Sequence, residues 1–574
     1  MATKSFKYHI SFNAKKANHI QFSFQLDVSD EEEICLSLPV WRPGRYEIAN
    51  YAQYIKQFSV RDRQSNAIKY EKIGHSDWLV SCKKNTVIEV SYAFYSNRID
   101  AGFSYADENQ IYLNPVNCFF YVKNEDCSYQ LNFKKKKSFA LFSPLTSTGE
   151  FQLHSDSYDE LFDSPTIFSS SAQRHSFKTG KYKINNVFQG VCEPNPEIIE
   201  RDFKKFIDLQ IESFGDLPVK EFSFLNQITS HRFYHGVEHK KNTVLAFGPG
   251  YLLDEKDGYE NFLGLACHEF YHIWNVKHMR PDSLFPYDFS QENIHKIGWI
   301  IEGVTTYQGD VKLWQSEVFN DKTYFKLLAH QINRHLQNDG RYNQSVRESS
   351  VDLWLDGYGK GAPGKKVSIY TEGALVSFIF DILLLEKSKG EKSLDTVMKA
   401  IYQNFTKKGL PYSEKDFLKE IKNQGGNFVN RIFKNYIDKA DSYEKELKKC
   451  LNKVGLVLLE KPISIERSYL GFHSAGSKYP SIHNVKENSP AQNAGLVEGM
   501  QVLMINNIEI NKNLENWLTY FYGREINLTC VLNGKVSEHK IEYSKEVLEF
   551  KVSVRPKAKM SKEEKFLFTK WRKH

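Results

Sequence analysis

Two histidines and a glutamate in one short stretch are suited to binding a metal ion and activating water. His268, Glu269 and His272 form the pattern H-E-x-x-H. Residues four apart lie one above the other on the same face of an α-helix, so the two imidazoles can bind one Zn²⁺. Glu269 is offset by about 100°, near enough to reach a water at the metal. Because a chain with 18 histidines can carry this pattern by chance on an amphipathic helix, a second feature is needed.

A carboxylate further along the chain supplies that feature. Glu302 lies in the stretch G-W-I-I-E-G-V-T-T-Y-Q-G-D, residues 298–310, whose apolar helical pattern predicts burial. An unpaired carboxylate is costly to bury, and binding a cation removes that cost. Two histidines and one carboxylate leave a fourth position open for water. This set of ligand atoms suits zinc, so the sequence predicts one Zn²⁺ per chain.

Length and charge limit the possible organisation. A chain of 574 residues is too long for one hydrophobic core and suggests about three domains. The formal net charge of +7 is concentrated in the last twenty residues, 555–574, which hold eight Lys and Arg against two Glu. A solvated basic tail is therefore favoured over nucleic-acid binding.

Cysteine usage and hydropathy indicate the compartment. The eight cysteines form no C-x-x-C pair, which predicts neither a disulfide framework nor a thiolate zinc site. The first residues, M-A-T-K-S-F-K-Y-H-I, lack the apolar segment of a signal peptide. No run reaches the ~18 apolar residues of a membrane span. We therefore expect a cytoplasmic protein with no membrane span.

Residues 1–170 have the pattern of a β-domain. Short apolar, β-branched and aromatic runs alternate with polar turns, which predicts a β-sandwich. Within it stands L-P-V-W-R-P-G-R-Y-E-I, residues 38–48, with a tight turn at Pro43 and Gly44. We expect Trp41, Arg42 and Tyr46 to pack within this turn, with substrate contact as the alternative.

Residues 171–458 are predicted to form a mostly helical domain around the metal site. The zinc helix is expected at residues 261–276, and Pro281 ends it. Lys277, His278 and Arg280 follow as charges close to the site, where the helix dipole favours them. His278 is a conceivable rival ligand, but it lies off the face of His272.

Three further features of this domain suggest a substrate cleft. Glu238, in H-G-V-E-H between two predicted strands, could meet a free α-amino group; a surface glutamate is the alternative. A weakly periodic, glycine-rich stretch at residues 338–366 is predicted to be a lid. Tyr370 precedes a strongly apolar helix, where its hydroxyl could stabilise an oxyanion or simply pack.

Residues 459–548 resemble a PDZ domain. S-Y-L-G-F, residues 468–472, matches a carboxylate-binding loop, and a short helix and the strand G-M-Q-V-L-M-I-N-N follow. In such a loop the backbone N–H groups of Leu470, Gly471 and Phe472 would hold a terminal carboxylate, and the peptide would extend the sheet. Packing on the catalytic domain is the alternative. Residues 549–574 remain as the basic tail.

As a whole, the chain resembles the glycyl aminopeptidase family of zinc metallopeptidases, within the thermolysin-like gluzincin clan. The resemblance rests on H-E-F-Y-H-I-W-N-V-K-H-M-R-P, W-I-I-E-G-V-T-T-Y and Y-T-E-G-A-L-V, in this order, with L-P-V-W-R-P-G-R-Y before them and the PDZ-like segment behind. It implies an α+β multidomain protein with an N-terminal β-domain, a thermolysin-like catalytic domain and a C-terminal PDZ domain. It also implies release of N-terminal glycine and alanine from peptides.

The resemblance assigns roles to residues at matching positions. His268, His272 and Glu302 would be zinc ligands and Glu269 the general base. Tyr370 would stabilise the oxyanion. A further segment, similar to the family's G-x-E-H stretch, would place Gly236 and Glu238 at the substrate's amino terminus.

Two positions depart from related patterns. Thr306 stands where thermolysin-type enzymes have an acidic residue, which favours the aminopeptidase branch and leaves the outer partners of the histidines unidentified. His278 stands where relatives more often have arginine.

Two other functions stay open at this stage. The first is a gluzincin endopeptidase whose PDZ domain captures substrate C-termini. The second is a non-catalytic PDZ adaptor, against which the complete set of His268, His272, Glu302 and Glu269 argues.

Overall fold

A computed structural model describes residues 4–12, 18–82, 87–357, 359–476 and 478–573. The N-terminal part is β-rich, as predicted. Its elements are β1 (Lys4–Phe12), β2 (His19–Asp27), β3 (Glu33–Ser37), β4 (Ile55–Arg61), β5 (Tyr70–Lys72), β6 (Asp77–Ser81), β7 (Val87–Tyr95), β8 (Tyr105–Ala106), β9 (Gln110–Leu113), β10 (Cys127–Phe133), β11 (Ala140–Phe142), β12 (Thr146–Gly149), β13 (Gln152–Ser155), α1 (Tyr158–Phe162) and β14 (Thr166–Ser169).

These strands form three sheets over the described residues. A seven-stranded sheet has the order β12-β13-β10-β1-β2-β7-β4, and smaller sheets have the orders β3-β6-β5 and β11-β14-β9-β8. The pattern of β2 shows why this sequence forms strands: Ile20, Phe22, Phe24 and Leu26 are buried and alternate with more exposed residues. A period of two places such apolar side chains on one face of a sheet.

The middle of the chain packs helices on a small sheet. Its elements are β15 (Gln173–Thr179), β16 (Tyr182–Gln189), α2 (Pro196–Phe214), β17 (Glu221–Ile228), β18 (Phe233–Glu238), β19 (Asn242–Gly248), α3 (Lys256–Tyr271), α4 (Thr305–Gln315), α5 (Asp321–Leu336), α6 (Val346–Val351), α7 (Leu353–Asp356), α8 (Ile369–Lys387), α9 (Leu394–Asn404), α10 (Glu414–Gly425), α11 (Phe428–Ile432) and α12 (Glu444–Lys453). The sheet order β15-β16-β17-β19-β18 leaves β18 at an edge. No helix in the described ranges is long and apolar enough to cross a membrane.

Short 3-10 and π turns complete the helical structure. They lie at Tyr51–Tyr54, Pro115–Asn117, Gly250–Leu253, Ile273–His278, Asp282–Leu284, Trp299–Val304, Asp339–Tyr342, Thr406–Lys408, Phe433–Ile437 and Glu466–Leu470.

The stretch predicted to be a lid is partly built into the domain junction. It contains α6 and α7, and Trp354 on α7 is buried. The Trp354 ring lies 5.3 Å from that of Trp41 and 6.1 Å from that of Tyr46, both of the β-domain. Trp41 and Tyr46 therefore pack as expected, but against a residue of another domain. The part of the predicted lid that contains Trp354 forms a contact between the two domains.

The C-terminal part is a small domain inserted between two paired strands. Its elements are β20 (Leu456–Pro462), β21 (Phe472–Ala475), β22 (Ser481–Val485), α13 (Pro490–Asn493), β23 (Gln501–Ile505), β24 (Ile508–Glu509), α14 (Leu514–Tyr520), β25 (Ile526–Leu532), β26 (Lys535–Ile541), β27 (Phe550–Pro556) and α15 (Lys562–Lys573). Residues from 470 to 541 form a hydrophobic core of their own. Strands β20 and β27 pair with each other, and their buried residues join the main core.

The prediction of a solvated basic tail at residues 549–574 is wrong. Strand β27 and helix α15 lie there, and α15 docks on the helical domain through Trp571, which is fully buried. The Trp571 ring lies 4.8 Å from that of Trp314 on α4 and 5.5 Å from that of Phe378 on α8. Its indole N–H donates to the Tyr307 hydroxyl at 2.9 Å. Composition marked this segment as basic, but one buried tryptophan decides its placement.

We predict that Trp571→Ala destabilises the helical domain. Truncating a buried tryptophan costs about 3–5 kcal/mol, so the midpoint of thermal unfolding should fall clearly, as measured by calorimetry. The matched control is Phe566→Ala on the same helix, because Phe566 is 45% exposed. Equal midpoints for the two variants would contradict the docked placement of α15.

Candidate metal centre

The three predicted ligands converge at one point. The Nε2 atoms of His268 and His272 lie 3.1 Å apart. Glu302 Oε2 is 3.6 Å from His268 Nε2 and 3.4 Å from His272 Nε2. Tetrahedral zinc with bonds of about 2.0–2.2 Å separates its ligand atoms by about 3.3 Å. The residues therefore fit a tetrahedral Zn²⁺ with three protein ligands.

The orientation of His272 is set just beyond the zinc helix. Helix α3 ends at Tyr271, and the chain continues into a π turn in which Asn275 has non-helical φ −93° and ψ 85°. This bend brings the Asn275 carbonyl 2.6 Å from His272 Nδ1. A carbonyl only accepts, so Nδ1 carries the proton and Nε2 keeps its lone pair for a metal. The α-helix thus ends at Tyr271 and not at the predicted residue 276. This early end lets the Asn275 carbonyl orient His272.

Asn275 also holds the turn that carries Glu302. Its side-chain Nδ2 donates to the carbonyls of Ile300 and Ile301 at 3.1 and 3.2 Å and to the Thr305 hydroxyl at 3.1 Å. Asn275 is completely buried. Asn275 therefore links the ligands His272 and Glu302. In the sequence this residue is only one letter of a family motif and is given no role. A buried polar residue directly after the H-E-x-x-H helix was the available signal.

The charges in the site favour a cation. Burial alone would raise the pKa of Glu302, but His272 and the contacts with both imidazoles lower it to about 2. Burial alone would lower the pKa of His272, but the Glu302 carboxylate raises it to about 10. Burial raises the pKa of Glu269 well above its usual range; His272 opposes this, and Glu238 adds to it. The Glu302 carboxylate thus favours a positive charge beside the two imidazoles, which a divalent ion would supply.

Glu238 and Gly236 both lie beside Glu269. Glu238 is 5% exposed, and its carboxylate lies within 4.8 Å of the ligand atoms of Glu269 and His272. Gly236 is so close to Glu269 that a Cβ there would lie 2.0 Å from Glu269 Oε1. Strand β18 therefore passes directly beside the general-base candidate.

Tyr370 reaches the site through a close helix crossing. It lies in the first turn of α8, and its ring centroid is 6.4 Å from that of His268. A Cβ on Gly303, next to Glu302, would lie 2.4 Å from the Cα of Gly373 on α8. Only glycine at these positions lets the two backbones approach so closely. Tyr370 and Glu302 are thereby fixed relative to each other.

The basic residues after the zinc helix clamp the β-domain. Lys277 is buried, and its Nζ lies 2.7 Å from Asp163 Oδ1, just after α1. Arg280 pairs with Asp159 at 3.2 Å. Burial favours neutral Asp163, but Lys277 and the His239 hydrogen bond outweigh this and lower its pKa far below the usual range. Lys277 and Arg280 are therefore interface residues and not exposed charges.

The rival ligand His278 faces elsewhere. Its Nδ1 contacts the carbonyl of Ile273 at 2.7 Å. Among the described residues, it belongs to neither group of side chains that could hold a metal.

One amide of the predicted carboxylate loop is already hydrogen-bonded within the domain. Leu470, Gly471 and Phe472 are all buried. The Gly471 N–H donates to the Glu466 carbonyl at 2.7 Å. The Glu466 carboxylate accepts from the Ser474 N–H at 3.1 Å on the adjoining strand β21. The N–H groups of Gly471 and Ser474 are thus already used within the domain.

Known proteins share these sequence and structural features. Residues 261–376 match the family described as M61 glycyl aminopeptidase, and residues 7–170 match the Peptidase M61 N-terminal domain. No curated protein is similar enough to this sequence to count as a match.

One solved structure shares the fold over nearly the whole chain, and a second is less similar. An aminopeptidase N family protein from Idiomarina loihiensis has a TM-score of 0.89 at 22% identity, with 99% of each chain covered. An M1 zinc metallopeptidase from Deinococcus radiodurans, crystallised as a mutant with a Tyr-Ser-Ala substrate, has a TM-score of 0.47 at 12% identity, with 77% of this chain and 94% of that chain covered.

The matched domains and the geometry of the site define the class: the chain is a peptidase. More particularly, residues 7–170 and 261–376 are similar to the N-terminal and peptidase domains of the M61 glycyl aminopeptidase family.

We predict that Asn275→Ala weakens zinc binding by about 10- to 100-fold, the usual effect of losing an outer partner of a ligand. The alanine keeps the backbone carbonyl that orients His272 but loses the bonds to the Glu302 turn. The measurement is the zinc dissociation constant in competition with a chelator. The control is His278→Asn, which keeps a donor for Ile273 and should bind zinc as the wild type does. Wild-type affinity in Asn275→Ala would contradict the role given to this side chain.

Proposed function

We propose that this peptidase is a zinc-dependent aminopeptidase that removes small N-terminal residues, glycine and alanine, from peptides. The observation that carries the proposal is the position of Glu238, whose carboxylate lies within 4.8 Å of Glu269 and His272 ligand atoms. A buried carboxylate beside the reacting groups can hold a substrate ammonium. The charge of that ammonium would also relieve the repulsion between Glu238 and Glu269.

The proposed mechanism assigns one task to each residue. His268, His272 and Glu302 would hold Zn²⁺, which supplies Lewis-acid polarisation and lowers the pKa of a water. Glu269 takes a proton from the attacking water and returns it to the leaving amine. The Tyr370 hydroxyl donates a hydrogen bond to the oxygen that becomes negatively charged in the transition state.

Glu269 is suited to this task by its surroundings. Its Oε2 is buried and has no hydrogen-bond partner among the described atoms. A carboxylate without competing donors is a strong base towards a water placed beside it. Its other oxygen faces Gly236, where the missing Cβ leaves room.

The C-terminal domain is proposed to be PDZ-like, with packing on the catalytic domain as its main role. Lys486 Nζ lies 2.6 Å from Asp339 Oδ1, and Arg467 donates to Gln337 at 3.1 Å. Both acceptors follow α5 in the catalytic domain. These contacts, together with the internally bonded Gly471 amide, favour packing over peptide capture.

We predict that the protein hydrolyses glycyl and alanyl p-nitroanilides but not their N-acetylated forms. Because Glu269 is the proposed base, Glu269→Gln should lower kcat by about 100-fold or more and leave stoichiometric zinc in place. Chelation should abolish activity, and added zinc should restore it.

The same panel separates the alternatives. Cleavage of N-acetylated peptides would contradict the aminopeptidase proposal in favour of an endopeptidase. Zinc binding without cleavage of either kind of substrate would leave the adaptor.

A further inference from the structure

We propose that a loop of the β-domain closes the amine end of the cleft and that Gly44 in this loop sets the position of the Glu238 carboxylate. The junction loop is defined here as residues 41–46, W-R-P-G-R-Y. The inference rests on the proposed function, because it concerns how the substrate's first residue is held.

The two faces of β18 meet different parts of the molecule. Successive side chains of a strand point to opposite faces. Gly236 and Glu238 face α3, where a Cβ on Gly236 would touch Glu269. Val237 packs on the other face in a cluster that contains Ala101 and Tyr112 of the β-domain. The edge of β18 between these faces carries no neighbouring strand in the described sheet.

Arg42 anchors the junction loop on the β-domain face. It is 3% exposed, and its Nη2 lies 3.3 Å from His235 Nε2. Its Nη1 donates to the Pro43 carbonyl at 3.1 Å, within the loop. A Cβ on Gly102 would lie 2.1 Å from Arg42 Nε. The guanidinium therefore fills the space between the segment of Gly102 and the junction loop. The start of the loop is therefore fixed.

Gly44 reaches the opposite face. It has φ +76°, and a Cβ there would lie 2.5 Å from Glu238 Oε2 and 3.0 Å from Oε1. Arg42 thus contacts His235 on one face of β18, and Gly44, two residues later, lies against Glu238 on the other face. The loop must cross the open edge of the strand between them.

This crossing defines where a substrate must end. An extended peptide can add to a free strand edge through backbone hydrogen bonds. A peptide that pairs with β18 beside Glu269 meets the junction loop at Glu238 and cannot continue past it. Glu238 then faces the free amine, and the backbone of Gly44 limits how far its carboxylate can withdraw.

The test is the kinetics of Gly44→Ala on glycyl p-nitroanilide. The new methyl group would displace the Glu238 carboxylate, so we expect KM to rise by about tenfold or more, as for the loss of a charged hydrogen bond, with kcat changed much less. Gly534→Ala is the matched control: Gly534 also has φ +76°, and a Cβ there meets nothing within 4 Å. Its KM should equal that of the wild type.

A double-mutant cycle with Glu238→Asp tests direct contact. The shorter side chain leaves room for the methyl group, so Gly44→Ala should raise KM far less in the Glu238→Asp background than in the wild type. Additive effects on KM would overturn the contact. Gly44→Asn serves as a second variant if Gly44→Ala folds poorly, because asparagine tolerates positive φ better; it too should raise KM.

Each remaining outcome is also decisive. Equal KM values for Gly44→Ala and Gly534→Ala, in folded proteins, would overturn the inference while leaving the aminopeptidase proposal intact. A wild type that cleaves no free-amine substrate would overturn the proposed function, and this inference with it.

Discussion

The interaction on which the site depends is the contact of a buried carboxylate with two imidazole nitrogens. Glu302, His268 and His272 place three polar atoms within 3.6 Å of one another in the interior. Such a group is costly to bury unless a cation joins it. The surrounding structure holds the three atoms together against that cost. A π turn after α3 orients His272 through the carbonyl of Asn275, and the side chain of Asn275 fixes the turn of Glu302.

The domains are organised around the same point. Lys277 and Arg280, just after the zinc helix, bind Asp163 and Asp159 of the β-domain. Removing one partner of the buried Lys277–Asp163 pair would typically cost about 3–5 kcal/mol, because it leaves the other charge uncompensated. His239, which also contacts Asp163 at 3.1 Å, directly follows Glu238. The β-domain is thereby joined to the strand that carries the proposed amine-binding carboxylate.

The sequence predicted the residues of the metal site better than the residues that hold them in position. The spacing of His268 and His272 determines their common face on a helix, and the structure brings Glu302 beside them. The cation that the burial of Glu302 calls for stays a prediction. The roles of Asn275 and Gly44 depend on contacts between segments far apart in sequence, which no local pattern encodes. The prediction of a basic tail at residues 549–574 was wrong for a related reason. Charge dominated its composition, whereas the burial of Trp571 depends on an aromatic pocket formed by α4, α5 and α8.

The most direct test of the proposed function is a crystal structure of the protein with Zn²⁺ and a non-hydrolysable peptide that begins with glycine. We predict the metal between His268, His272 and Glu302 at about 2.0–2.2 Å from each ligand atom. We also predict the free amine within about 3 Å of Glu238, with the peptide ending at the junction loop. A metal bound elsewhere, or a peptide whose chain runs on past Glu238, would contradict the proposed site.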